Sequence, residues 1–203
     1  MKTVLLFGAG RSTYTLIKYL TNESKTLNIK VIICDISIND FVKKQLKSNS
    51  CEFVKLDIID INLRRKLISE SNLVISMLPP SFHIDIAKDC INYSVNMITA
   101  SYVSDEMKAL DENAKKANII ILNEVGLDPG IDHISAMDMI NKLKDKNAVI
   151  KSYKSHCGGL VAPESDNNPW NYKFTWNPRN VVVAGQGGVA EFIQEGQYKY
   201  IPY

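Results

Sequence analysis

The chain has 203 residues, of which 45% are hydrophobic and 23% are charged, and it carries a formal net charge of +2. These values are typical of a globular protein with an ordinary hydrophobic core. Because the net charge is small and the basic residues form no long run, we do not expect a nucleic-acid partner. Because no stretch approaches the roughly 20 apolar residues of a membrane span, we do not expect a membrane partner either.

The cysteines and the start of the chain favour a cytoplasmic location. Cys34, Cys51, Cys90 and Cys157 are far apart and show neither CxxC nor zinc-ligand spacing. This spacing is typical of reduced thiols, and we expect no metal site. The opening sequence MKTVLLFGAG is apolar, but glycines and Arg11 interrupt it too early for a signal peptide.

Up to Glu124 the chain alternates between apolar runs and amphipathic segments. The apolar runs are typical of strands buried on both faces, and they begin at Thr3, Lys30, Cys51, Asn72, Val95 and Asn118. Helical patterns stand between most of them, over residues 15–20, 61–70, 82–93 and 104–117. The alternation predicts a doubly wound, Rossmann-like parallel α/β sheet. The basic cluster Arg64–Lys66 is interpreted as a solvent-exposed helix face.

Beyond Glu124 the pattern changes, and a second domain is predicted. A helix is expected from about Ile131 to Lys146, then a strand over residues 148–157, and one or two further strands near the end. We predict a dinucleotide-binding domain over residues 1–128 and the start of an α/β substrate domain over residues 129–203. We expect this second domain to be incomplete, so that an exposed apolar edge favours a homo-oligomer.

The cofactor prediction depends on a glycine-rich turn after the first strand. Gly8 and Gly10 stand at the point where a dinucleotide fold makes a tight turn and brings its backbone to a pyrophosphate. Arg11, Ser12 and Thr13 open the following helix, and Thr13 replaces the third glycine of the usual fingerprint. Glycine-rich turns also occur for packing alone, so the turn is not sufficient evidence.

Acidic residues after the next strands extend this prediction. Asp35 ends the second predicted strand, 22 residues after Thr13, where a carboxylate would bind the adenosine ribose hydroxyls and repel a 2′-phosphate. Asp57 would lie near the adenine and Leu78 near the middle of the cofactor. Alternatively, Asp35 caps its strand, Asp57 caps a loop, and the prolines after Leu78 only end a strand. We predict NAD or NADP as cofactor, with NAD favoured by Asp35.

Three residues are candidates for the proton transfer that accompanies hydride chemistry. Tyr102 follows the fifth predicted strand, Asp128 follows the sixth, and Cys157 lies in the stretch 154–176, which combines a thiol, two glycines, prolines and tryptophans. Such a stretch is typical of a small-molecule pocket. Alternatively, Tyr102 is a core tyrosine, Asp128 belongs to a turn, and Cys157 is an inert buried thiol.

Several strings of the sequence resemble the saccharopine dehydrogenase family (the glutamate-forming enzyme, or saccharopine reductase, of lysine metabolism). They are ISMLPPSFH, ASYVSDEM, NEVGLDPGIDH and SHCGGLVAPESDNNPWNYKFTW. The resemblance implies a nicotinamide-dependent oxidoreductase that interconverts saccharopine with glutamate and 2-aminoadipate 6-semialdehyde. The substrate partner is then saccharopine.

The resemblance also assigns roles to residues. It implies that Ser101 and Tyr102 contact saccharopine, and that Leu127, Asp128 and Pro129 lie near the nicotinamide. It places Cys157 beside the reaction centre, where Gly158 and Gly159 let the backbone approach the substrate.

Two departures from the family and two rival functions remain. Fungal members use NADP and have a basic residue where this chain has Asp35, and members are much longer, so later substrate-binding residues are expected to be missing. The rivals are a related amine–aldehyde conjugate reductase of the carboxynorspermidine type and a non-catalytic dinucleotide-binding module.

Overall fold

The computed structural model describes residues 1–46, 51–174, 178–184 and 189–202. The chain divides into two compact units, Met1–Ser155 and His156–Tyr203. Trp176, which belongs to the predicted pocket stretch, lies outside the described residues. No helix in the described part of the chain is both long and apolar enough to cross a membrane.

The first unit is built on one six-stranded sheet in which every pairing is parallel. Its strands are β1 (Lys2–Phe7), β2 (Ile29–Asp35), β3 (Cys51–Lys55), β4 (Leu73–Ser76), β5 (Asn96–Thr99) and β6 (Ile121–Leu122). The order across the sheet is β3-β2-β1-β4-β5-β6. This order confirms the predicted doubly wound, Rossmann-like α/β fold.

Helices connect the strands and continue beyond the sheet. They are α1 (Tyr14–Glu23), α2 (Asp40–Gln45), α3 (Ile61–Ser69), α4 (His83–Asn92), α5 (Asp105–Lys108), α6 (Asp111–Lys116), α7 (Ile131–Lys144) and α8 (Pro178–Ala184). Short 3-10 turns precede α1 and α4 at Arg11–Thr13 and Pro80–Phe82, and another covers Pro163–Ser165.

Alternate residues of the central strand enter the two layers of the core. Leu5 and Phe7 pack in one cluster, Val4 and Leu6 in the other, and all four are at most 6% exposed. A side-chain period of two explains this division, because successive residues of a strand point to opposite faces. Burial on both faces is why the run reads as continuously apolar.

Several elements differ from the prediction. Residues 104–117 form two short helices, α5 and α6, instead of one, and β6 has only two residues. Residues 148–157 form no strand, although their sequence predicts one. The apolar run at 181–184 belongs to α8. One or two late strands were expected, and two are present as the antiparallel pair β7 (Ala190–Gln194) and β8 (Gln197–Ile201).

The interpretation of Arg64 as solvent-exposed is wrong. Arg64 is 6% exposed, and its guanidinium donates to Asp89 Oδ2 over 2.7 and 2.8 Å and to the Ile58 carbonyl over 2.9 Å. Arg65 donates to the other oxygen, Asp89 Oδ1, over 2.8 Å. Asp89 is 1% exposed, so this carboxylate on α4 joins two arginines of α3 inside the first unit.

We expect Asp89→Ala to lower the free energy of unfolding by about 3–5 kcal/mol, because it leaves the buried Arg64 charge without its anionic partner. The matched control is Arg65→Ala, which removes a half-exposed side chain and should cost much less, because solvent screens an exposed ion pair. Denaturant unfolding of both variants measures the difference. Equal small losses would contradict a buried, stabilising role for Asp89.

Candidate functional site

The carboxyl ends of β1, β4, β5 and β6 lie along one edge of the first unit's sheet. The strand order reverses at β1, because β2 and β3 continue on one side and β4 to β6 on the other. In open parallel sheets, ligands bind in the crevice at such a reversal. The predicted cofactor turn begins directly after β1, at this reversal.

Gly8 is required by the geometry of the turn. It has a φ of +94°, and a Cβ added there would lie 3.0 Å from the Met77 carbonyl oxygen. A side chain would therefore be both strained and crowded. Gly10, in contrast, has a φ of −72°, and no atom lies within 4 Å of an added Cβ. The backbone at Gly10 is thus open to a bound group, as a pyrophosphate site needs.

Thr13, which stands at the position of the third glycine, is buried and bonded to the turn. Its side chain is 1% exposed, and its hydroxyl donates to the Gly10 carbonyl over 2.7 Å. This bond closes the turn from within, while Arg11 and Ser12 remain exposed beside it. The sequence alone identified the degenerate position but not this substitute.

Asp35 contacts the glycine-rich turn itself. Its Oδ2 accepts a hydrogen bond from the Ala9 N–H over 2.7 Å, and Asn39 Nδ2 donates to the Ala9 carbonyl over 2.8 Å. The Ala9 peptide is therefore held on both sides by side chains from the end of β2 and the start of α2. Asp35 is placed where predicted, but part of its hydrogen-bonding capacity is used within the protein.

Asp57 and Leu78 follow β3 and β4. Asp57 is exposed, and its Oδ1 accepts from the Ile59 N–H over 3.2 Å, which is the loop-capping contact considered as its alternative role. Leu78 is partly buried against the core. The cofactor roles of both residues stay predictions.

The loop after β5 is held by the loop after β6. Glu124 N–H donates to the Ser101 carbonyl over 3.0 Å, and Glu124 Oε1 accepts from the Val103 N–H over 3.1 Å. Glu124 has a φ of +62°, an uncommon conformation for a residue with a side chain. It thus fixes the backbone on both sides of Tyr102, whose side chain is 70% exposed and not in the core.

A buried histidine lies beneath the same loop. His83 is 3% exposed, with Nδ1 3.0 Å from Ser76 Oγ and Nε2 2.8 Å from Ser101 Oγ and 3.1 Å from Thr99 Oγ1. Burial lowers the pKa of His83 to about 4, so that its imidazole is neutral near pH 7. Sequence reasoning did not single out His83, Asn39 or Glu124. Two of the family strings gave a signal, since ISMLPPSFH ends in His83 and NEVGLDPGIDH includes Glu124.

Leu127, Asp128 and Pro129 form a tight loop that ends at α7. Gly126 N–H donates to the Pro129 carbonyl over 2.9 Å, and the Gly126 carbonyl accepts from the Ile131 N–H over 3.0 Å. Leu127 and Asp128 are exposed. The loop therefore presents these residues to solvent on the carboxyl side of β6.

Asp128 lies near a second carboxylate and a histidine. Ligand-type atoms of Asp128, Asp132 and His133 lie within 4.8 Å of one another, a grouping that the sequence spacing did not suggest. Asp132 Oδ1 is 2.7 Å from His133 Nδ1 and accepts from the Gly130 N–H over 3.0 Å. The hydrogen bond with Asp132 raises the pKa of His133. A positive charge on His133 would lie close to the Asp128 carboxylate.

Cys157, Gly158 and Gly159 belong to the second unit. All three are exposed, so Cys157 is not buried, as its alternative role had expected. No atom lies within 4 Å of a Cβ added at Gly158, whereas Tyr172 lies 3.6 Å from one at Gly159. Their shared site with Tyr102 and Asp128 stays a prediction.

The sheet, its order and the open turn after β1 define a dinucleotide-binding α/β protein of the Rossmann type. Two family models match the chain: the saccharopine dehydrogenase NADP binding domain over residues 4–122 and the saccharopine dehydrogenase C-terminal domain over residues 126–203. The chain therefore belongs to the saccharopine dehydrogenase family, as its motifs indicated.

Named relatives agree with this assignment. Alpha-aminoadipic semialdehyde synthase of Arabidopsis thaliana is 44% identical over 81% of this chain and 15% of its own length. Saccharopine dehydrogenase [NADP(+), L-glutamate-forming] of Saccharomyces cerevisiae is 33% identical over 98% of this chain and 44% of its own length. The solved structure of the L-Glu-forming yeast enzyme superposes with a TM-score of 0.83 at 32% identity, over 100% of this chain and 44% of that chain. The chain thus spans less than half the length of these relatives.

The two glycines of the turn give a matched pair of variants. We expect Gly8→Ala to lower the free energy of unfolding by about 1–3 kcal/mol, because of its positive φ and the nearby Met77 carbonyl. Gly10→Ala should change stability by less than about 0.5 kcal/mol, yet weaken NADPH binding about tenfold by crowding the backbone. Thermal unfolding and fluorescence titration measure the two effects. Unchanged NADPH binding in a folded Gly10→Ala variant would contradict this cofactor site.

Proposed function

We propose that this chain is the dinucleotide-binding part and reaction centre of an NADP-dependent oxidoreductase acting on the C–N bond of saccharopine. The products of oxidation are glutamate and 2-aminoadipate 6-semialdehyde. The observation that carries the proposal is the placement of three loops, Gly8–Thr13, Ser101–Val103 and Leu127–Pro129, after strands at one edge of the sheet. The relatives' names supply the reaction.

The residues fit a nicotinamide dinucleotide. Gly8 makes the turn that no other residue fits without strain, and Gly10 leaves the backbone open at the start of a helical turn. Unpaired N–H groups at such a position favour a pyrophosphate. When bound, the nicotinamide supplies the two-electron acceptor or donor for the C–N bond.

The chain's own residues bind, orient and exchange a proton. Oxidation of saccharopine to an imine releases a proton from the secondary amine, and water then adds to separate the two products. The Asp128 carboxylate is the proposed proton acceptor. Tyr102 Oη is the proposed relay, which takes up the amine proton as it passes its own O–H proton on. Both residues are exposed on loops that the protein holds by hydrogen bonds. We assign substrate contact to Ser101 and keep Cys157, Gly158 and Gly159 as proposed members of the site.

Two features support NADP over the NAD that Asp35 alone favoured. Asp35 is engaged by the Ala9 N–H, so its presence has a reason other than ribose recognition. Its register partner on β3 is Lys55, an exposed cation on the same face of the sheet at the same end. A 2′-phosphate would meet this positive charge as well as the carboxylate.

The first experiment supplies saccharopine with NADP+ and measures both NADPH and glutamate. We expect the two products in equal amounts, and Tyr102→Phe and Asp128→Asn should each lower kcat by about 10²-fold if they exchange the proton. NADPH formation without glutamate would mean that saccharopine is oxidised at its other C–N bond, and would contradict the glutamate-forming reaction. Formation of neither product would contradict saccharopine as substrate and favour another amine–aldehyde conjugate. Normal rates in both variants would contradict their proposed role.

A second experiment separates the two roles of Asp35. Asp35→Asn keeps an oxygen acceptor for the Ala9 N–H and removes the charge, so NADPH binding should strengthen while stability is retained. Asp35→Ala should lose about 1 kcal/mol of stability and weaken both cofactors. For the wild type, NADPH at 100 times its dissociation constant should stabilise the fold by about 2.7 kcal/mol. A larger thermal shift with NADH than with NADPH would contradict the NADP proposal.

A further inference from the structure

His83 is the buried titratable group for which the proposed reaction has no direct use. It begins α4, and its ring contacts residues at the ends of two neighbouring strands, β4 and β5. The ring is 3% exposed and cannot touch a substrate from solvent. What it does contact is Ser101, the residue assigned to the substrate.

We propose that His83 is a positioning residue, which donates from Nε2–H to Ser101 Oγ and so directs the Ser101 O–H outward to saccharopine. This inference rests on the proposed function, because it concerns the same substrate site. The proposal depends on which ring nitrogen of the neutral His83 imidazole carries the proton, and the neighbouring buried hydroxyl of Ser76 bears on that choice.

Ser76 bears on which ring nitrogen carries the proton. Its side chain is fully buried, and its hydroxyl lies 3.0 Å from His83 Nδ1. A buried hydroxyl that only accepted a hydrogen bond would leave its own O–H without an acceptor there, which is unfavourable. Thr99 is also buried, so either tautomer of the ring leaves one of these two hydroxyls without a ring nitrogen as acceptor for its O–H. We assign the tautomer in which the O–H of the fully buried Ser76 donates to Nδ1, and the ¹⁵N measurement below tests this assignment. A neutral imidazole has one N–H, so its proton is on Nε2.

The Nε2–H group then donates its hydrogen bond to Ser101 Oγ. Ser101 Oγ is nearer to Nε2, at 2.8 Å, than Thr99 Oγ1, at 3.1 Å. Thr99 Oγ1 also accepts from the Ser101 N–H over 3.3 Å, which holds the same residue by its backbone. When Ser101 Oγ accepts from the ring, its own proton is available to an acceptor outside the protein, such as a substrate carboxylate.

Two substitutions of His83 separate positioning from folding. His83→Gln can place an amide N–H near the Nε2 position, whereas His83→Asn reaches only the Nδ1 position beside Ser76. Both remove the imidazole. We expect His83→Asn to raise the KM for saccharopine about tenfold, as Ser101→Ala should, with the KM for NADP unchanged. His83→Gln should restore most of the loss, and His83→Asn should add little to Ser101→Ala.

A spectroscopic measurement tests the same inference without substrate. In ¹⁵N spectra of the wild-type chain at pH 7, His83 Nε2 should be protonated and Nδ1 unprotonated, and Ser101→Ala should shift the Nε2 signal. A proton on Nδ1 would overturn the proposal, as would a His83→Asn variant with wild-type KM for saccharopine. A wild-type chain that neither binds nor oxidises saccharopine would contradict the proposed function instead, and the spectrum alone would then decide the tautomer.

Discussion

The parallel pairing of β1 with β2 on one side and β4 on the other is the constraint on which the candidate site depends. At the carboxyl end of β1, the Gly8 N–H donates to the Cys34 carbonyl and the Met77 N–H donates to the Phe7 carbonyl, each over 2.8 Å. The pairing thus continues into the loops that follow the strands. Because β1 is buried on both faces, these loops have one position relative to the core, and the turn at Gly8 passes directly against Met77.

Side chains behind the site, more than those facing it, determine the shape of its loops. Asp35 and Asn39 hold both sides of the Ala9 peptide, Glu124 holds the backbone around Tyr102, and His83 lies beneath Ser101. Each of these hydrogen bonds removes a polar group from water, which is unfavourable, but it also fixes the conformation of a loop. Exposed residues such as Tyr102 are thereby carried on ordered backbone, which is how a scaffold prepares groups for chemistry.

The residues proposed for the reaction are distributed over both units of the chain. The first unit contains the cofactor turn, Ser101, Tyr102 and Asp128, and the second contains Cys157 with its glycine pair.

Asp35 illustrates how one residue can satisfy two explanations. It stands where a ribose-binding carboxylate belongs, and it also anchors the turn, so its identity alone does not select NAD.

The fold class, the six parallel strands, the turn at Gly8–Thr13 and the family could all be predicted from the amino-acid sequence, because strand burial and strand-to-helix turns are local patterns. Tertiary structure alone decided that Arg64 is buried against Asp89, that residues 148–157 form no strand, and that Asp128, Asp132 and His133 come together. It also decided that His83, distant along the chain from Ser101, becomes its partner. These outcomes depend on which strand ends meet at one edge of the sheet, and no local pattern carries that information.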